Sequence, residues 1–180
     1  MKEIILVSIM CSLIGCASTF TPSERIQSLR NGMTFEQAVA VVAKHMSPSP
    51  SQSGLCAAYG AYFDEGTPVT ATPESYSFKS YKRGEKIREE RIGAQLYIFY
   101  KKVYFTLQTK FADIKKIRVD RAVSSVGECK VSGPGTYSVS VYTGISDNHN
   151  MFVTEQNFAE FMAALIKLAP QARLMEGAGL

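Results

Sequence analysis

Two histidines and four cysteines are the residues of this 180-residue sequence whose types most readily do chemistry. His149 stands in Ser-Asp-Asn-His-Asn, two positions after Asp147. An Asp-x-His pair suits a metal site or an acid–base pair, yet Asp, Asn and Ser are also what a tight turn selects, and no third or fourth zinc ligand lies nearby. His45 falls near the end of a helical pattern, where a cationic ring suits the helix dipole. The neighbouring carboxylates Asp64-Glu65 and Glu89-Glu90 cannot share a proton from a strand, because successive side chains point to opposite faces. There is no Gly-x-Ser-x-Gly elbow and no Gly-x-x-x-x-Gly-Lys phosphate loop; Gly133-Pro134-Gly135 is only a short turn. The sequence therefore points away from an enzyme and calls for no cofactor. A metal-dependent hydrolase using Asp147 and His149 is the alternative.

The cysteines say more. Residues 4–15 form an apolar run that ends at Cys16, preceded by Lys2. A dozen residues are too few to span a bilayer but suit the apolar region of a secretory signal, and no later segment is long and apolar enough to span. Leu13-Ile14-Gly15-Cys16 resembles the lipobox of bacterial lipoproteins. That resemblance implies that residues 1–15 are removed and that Cys16 becomes a lipid-bearing N-terminus, with residues 16–20 as a tether. Ala17, rather than Asp, follows the cysteine. In the enteric lipoproteins it resembles, this implies the outer membrane facing the periplasm; in an organism with a single membrane, the anchor is the cell membrane. Cys56 and Cys129 then remain in an oxidising compartment, as one disulfide or as two buried thiols. A bridge across their 73 positions is worth ~4 kcal/mol on the loop-entropy view.

Several elements must position these residues. Residues 21–46 read as a helical segment. Thr21-Pro22-Ser23-Glu24 fits a capping box, Asn31-Gly32 a left-handed stop, and Thr34 with Gln37 a second capping box before an amphipathic helix. The stretch LRNGMTFEQAVAVV resembles the helix openings of small outer-membrane assembly lipoproteins. Residues 47–75 are rich in Ser, Pro, Gly and Thr and read as a long loop. Residues 76–169 carry strand signals and then one apolar-striped helix: Tyr76 to Tyr81, Gln95 to Tyr100, a break at Lys101-Lys102, Val103 to Thr109, Ile114 to Val119, Tyr137 to Thr143 and Met151 to Val153. Residues 170–180 read as a frayed tail. FTLQTKFADIKKIRVD, with FAEFMAALIKLAP after it, resembles bacterial PH-like domains. The expected fold is α+β: an N-terminal helix pair, then a curled antiparallel sheet or PH-like barrel capped by a C-terminal helix.

The chain is 46% hydrophobic and 20% charged, with a net charge of +4. This is globular material with a mild basic excess and no nucleic-acid motif. Within the loop, Tyr59, Tyr62 and Phe63 form either a contact surface or the cover of a core edge. Two basic stretches, Lys82 to Arg91 and Lys115 to Arg118, have Tyr and Phe interleaved and read as a solvated edge or as a site for an acidic partner; in the second, Lys116 and Arg118 alternate with Ile117 and Val119 and face away from them. The expectation is a lipoprotein held to a membrane through Cys16, acting as a non-catalytic binding or envelope-assembly module. Its partner would be an envelope protein, a lipid head group or a cell-wall polymer, and not nucleic acid.

Overall fold

The computed structural model describes residues 18–47, 54–56, 62–63, 68–121, 125–126, 129–130, 136–144 and 148–177. Helices α1 (Glu24–Gly32) and α2 (Phe35–Met46) come first. The strands follow in chain order: β1 (Gly54–Cys56), β2 (Tyr62–Phe63), β3 (Thr70–Ala71), β4 (Ser75–Ile92), β5 (Gln95–Lys110), β6 (Lys116–Arg121), β7 (Ser125–Val126), β8 (Cys129–Lys130), β9 (Thr136–Tyr142) and β10 (Asn148–Thr154). Helix α3 (Glu155–Leu168) and strand β11 (Arg173–Glu176) close the described chain.

Helix α2 starts on the capping box that its sequence predicts: the Thr34 hydroxyl accepts from the Gln37 N–H at 3.1 Å, and the Gln37 side chain accepts from the Thr34 N–H at 2.7 Å. Helix α1 starts later than its Thr21 box predicts. Ser23 is the cap and accepts from the Ile26 N–H, because its own hydroxyl reaches the first free backbone donors. The helix ends at Gly32 as expected, yet through an extended Met33 and not a left-handed residue.

A five-stranded sheet runs in the order β1-β10-β9-β6-β11. Its pairs are antiparallel except β11, which lies parallel to β6. The three helices contribute Ile26, Val42, Met46, Phe161, Met162 and Leu165 to one core, and the sheet contributes Ile117, Val119, Val139, Val141, Met151 and Val153. Alternation on β6, β9 and β10 supplies that apolar face, and burying one face fixes the register. The α+β class is the one expected. Of its two forms, the barrel is not found: the sheets stay open, since β1 and β11 end the five-stranded order unpaired with each other.

Three sequence expectations change here. Residues 47–75 are not simply a loop, because β1 pairs with β10 and both β2 and β3 pair with β4. Residues 173–176 are a strand and not a frayed tail: the carbonyl of Lys115 accepts from the Arg173 N–H, and that of Val119 from the Gly177 N–H. Four residues are too few for alternation to declare itself. Finally, Lys101-Lys102 does not break a strand, and β5 runs through it for 16 residues.

At the far edge Thr19 bridges Met175, Phe20 donates to the Leu174 carbonyl, and Glu176 donates to that of Ser18. Phe20 is buried edge-on against Phe158. The expected tether of residues 16–20 is thus tied into the body from Ser18 onward.

Candidate functional site: a basic hairpin standing clear of the body

Strands β4 and β5 form one antiparallel hairpin closed by the two residues Gly93-Ala94. Gly93 takes φ 63°, a left-handed conformation that two-residue hairpin loops need and that glycine adopts without steric cost. The base of the hairpin belongs to the core. Tyr76, Phe78 and Ser80 are buried on one face, and Thr109 beside Tyr76 is buried too. Beyond Ser80 both faces open to solvent. From Lys82 to the tip, eleven residues of β4 extend about 35 Å at the usual strand rise.

Two register shifts lie between Arg83 and Arg88, where β4 carries extra residues relative to β5. Such bulges bend and twist a ribbon. Gly84 sits in the first shift, where a Cβ would come within 2.9 Å of Val103 Cγ2 and 3.1 Å of the Lys101 carbonyl oxygen. The close approach of the two strands depends on glycine there.

The composition of the outer hairpin is divided by strand. Eight of the eleven residues Lys82–Ile92 are charged, whereas eight of the eleven residues Gln95–Phe105 are aliphatic or aromatic. Among the described residues ten large hydrophobics are exposed, and all except Phe35 lie between Ile87 and Tyr104. Single exposed apolar residues are ordinary, but a contiguous set marks an interaction surface. Between Ser75 and Lys110 there are nine Lys and Arg against three Glu, a net +6. The whole chain is +4, so the remainder is −2 and the positive charge is concentrated on this arm.

Cross-strand pairing assigns the faces. Lys79↔Thr106, Tyr81↔Tyr104, Arg83↔Lys102, Lys86↔Tyr100, Glu89↔Ile98 and Arg91↔Leu96 share the face opposite the buried Tyr76 and Phe78. Five cations therefore point the same way, with Tyr81, Tyr100 and Tyr104 between them and Leu96 and Ile98 toward the tip. Three of these cations lie over rings of that face: Lys79 over Tyr104 at 4.6 Å, Lys102 over Tyr81 at 4.3 Å, Arg83 over Tyr100 at 5.6 Å. Among the described residues that pairing places there, the one carboxylate, Glu89, is paired with Lys86. The opposite face carries Lys82, Arg88, Glu90 and Lys101, with Arg88 bonded to Glu90 at 3.0 Å and lying over Phe99. Glu89 and Glu90 thus point to opposite faces, as strand geometry requires.

The residues singled out from sequence are not brought together. Lys116 and Arg118 do face away from the core, but β6 lies between β9 and β11, so they are not on a sheet edge. Lys116 sits over the Tyr142 ring at 4.0 Å, and Arg118 holds Asp120 at 2.7 Å; that bond raises the guanidinium above its ordinary range. Tyr62 and Phe63 pair through their backbone with Tyr81 and Ser80, at the foot of the arm. Their side chains, and all of Tyr59, Cys16 and Asp147, lie outside the described residues. The Cys56 and Cys129 side chains, and with them the expected bridge, also lie outside; the two backbones belong to β1 and β8 in separate sheets.

His149 lies on the core face of β10, opposite Val141. Its Nδ1 is 2.9 Å from the Tyr76 hydroxyl, and its ring packs edge-on against Phe78. Burial drives the Tyr76 phenol well above its ordinary range, with a bond to Thr109 acting the other way. His45 lies in the last turn of α2, as expected, and is buried there with Nε2 3.2 Å from Glu160 of α3. No group of three or more His, Cys, Asp or Glu suited to a metal occurs among the described residues.

Sequence reading offers the basic stretch 82–91 as a solvated edge or an acidic-partner site, but misses the arm as one surface because its signals split. The charged stretch resembles a solvated edge, the apolar stretch a buried strand, and only pairing puts them side by side. Comparison with protein-family models, curated proteins and solved structures finds no match to this chain.

Proposed function

We propose that this protein is a lipoprotein anchored through Cys16, and that it acts as a non-catalytic binding or assembly module of the cell envelope whose contact surface is the β4–β5 arm. One observation carries the reading: the exposed large hydrophobics and the positive charge of the chain coincide on a hairpin that leaves the body after Ser80. Exposed apolar surface costs free energy, and a strand pair of this length adds nothing to the core beyond its base. Lipid attachment fits the same picture. At ~0.8 kcal/mol per buried methylene, two or three acyl chains hold a protein stably where one does not. Because Ser18 already pairs with the body, a lipid on Cys16 would keep the domain within about two residues, roughly 7 Å, of its membrane. The outer membrane facing the periplasm is the location proposed, or the cell membrane where there is only one.

Membrane flotation combined with site-specific photocrosslinking in cells tests this. The chain floats with membranes and Cys16→Ala abolishes flotation. A photoreactive residue at Leu96 on the arm gives discrete adducts, while one at Phe35, the exposed hydrophobic off the arm, gives none. Flotation unchanged by Cys16→Ala, or equal labelling from the two positions, counts against the reading.

A further inference from the structure

Resting on the reading of the arm as the contact surface, we infer that the arm lies flat on an anionic phospholipid bilayer with the Tyr81–Tyr100–Tyr104 face down. Among the described residues that pairing places on it, that face presents five cations and one acid, and the acid is already paired with Lys86. Lys and Arg are attracted to anionic head groups within a Debye length, so charge brings this face to the membrane. Tyrosines are favoured at the head-group level, where a ring has an apolar body and a wet hydroxyl. Leu96 and Ile98, 55% and 40% exposed, gain nothing from a soluble polyanion but gain from the acyl boundary. Cations, tyrosines and aliphatics on one face therefore favour lipid over a phosphate-bearing polymer.

The arm does not insert tip-first. The outer part of β4 carries charge on both faces, with Arg88 and Glu90 on one and Glu89 and Arg91 on the other. The uninterrupted apolar run of β5 is Leu96–Tyr100, five residues against the roughly nine to eleven that a spanning strand needs. Lying flat leaves Arg88, Glu90 and Lys82 in water. A second copy of the chain along the open edge of β5 is disfavoured because it would set two hairpins of net +6 side by side.

The chain contains no tryptophan, so a single introduced one reports on the arm without background. Tyr100→Trp probes the inferred face and Phe99→Trp the opposite one, in the purified whole protein mixed with vesicles of phosphatidylcholine alone or with phosphatidylglycerol added. With phosphatidylglycerol, emission from Tyr100→Trp shifts to the blue and is quenched by brominated lipid, whereas that from Phe99→Trp is not. Salt reverses the effect, and Lys79→Glu with Lys102→Glu weakens it more than about tenfold. Protein that sits on vesicles with both tryptophans unshifted overturns the inference while leaving the anchored-module reading intact. So does a shift of both to the same extent, a shift without vesicles that accompanies dimers in sedimentation, or a shift induced equally by soluble polyphosphate. Circular dichroism and the unfolding midpoint of each variant confirm that the comparison is between folded chains.

Discussion

The inner and outer halves of the β4–β5 hairpin are built from the same two strands under opposite constraints. In the inner half one face is buried, and β4 alternates accordingly: Tyr76, Phe78 and Ser80 inward, Ser77, Lys79 and Tyr81 outward. In the outer half neither face is buried, and polarity is sorted by strand, with charge on β4 and apolar side chains on β5. Burial of a face dictates a period of two, because slipping by one residue would turn every core side chain outward. Once that constraint ends, the register shifts appear, beginning just after Arg83. The inner half is thus shaped by the protein's own core, and the outer half is free of that constraint.

The largest effect expected from this contrast is on stability. Tyr76→Ala removes a fully buried ring that stacks on Phe78 and tilts against Phe111, and should cost about 4 kcal/mol in denaturant unfolding. A loss below about 1 kcal/mol would mean that the inner half is not part of the core and would break the comparison. A milder change sharpens it. Tyr76→Phe keeps the ring but leaves the His149 Nδ1 without its hydroxyl partner, costing about 1 kcal/mol. The same variant has a pH signature. Burial raises the phenol in the folded state, so above pH ~10 the unfolded chain loses a proton that the folded one keeps, and stability falls as pH rises. Tyr76→Phe lacks that component of the alkaline fall, which unfolding free energies on either side of pH ~10 would show. The smallest effect belongs to the outer half: Leu96→Ser with Ile98→Ser should move stability by no more than about 0.5 kcal/mol. A loss as large as that of Tyr76→Phe would place those side chains in a core and undo the contrast.

What was legible in the sequence follows the same division. The α2 capping box and the alternation of Lys116 to Val119 were readable because each is a local rule: a hydroxyl three residues before its partner, or one buried face on a regular strand. The α+β class followed from those same local patterns summed along the chain. The position of β6 inside its sheet was not readable, since it depends on β11, four residues that pair parallel to it from far along the chain. Nor was the continuity of β5. Lysines at 101 and 102 look like a break, but in a ribbon wetted on both sides they need no burial, and Lys102 finds the Tyr81 ring across the strand pair. That the basic residues of 82–91 share a face with the apolar strand beside them was hidden for a related reason. The two bulges between Arg83 and Arg88 put Lys86 out of step with simple alternation, which resumes from Arg88 on, so that only cross-strand pairing shows five cations on one side.

The pairing of residues 18–20 with 174–176 also sets an order in time. The Phe20 N–H finds its acceptor on Leu174, 154 positions later, and Phe158, against which its ring rests, is scarcely nearer in sequence. A chain delivered from its N-terminus therefore holds residues 18–20 without these partners until residues 158–176 have been added. Contacts so distant in sequence form late and slowly, after the loop between them has been closed. The docking of β11 on β6 and of Ser18–Phe20 on β11 is therefore expected among the last contacts to form, and until then the ring of Phe20 lacks its place against Phe158.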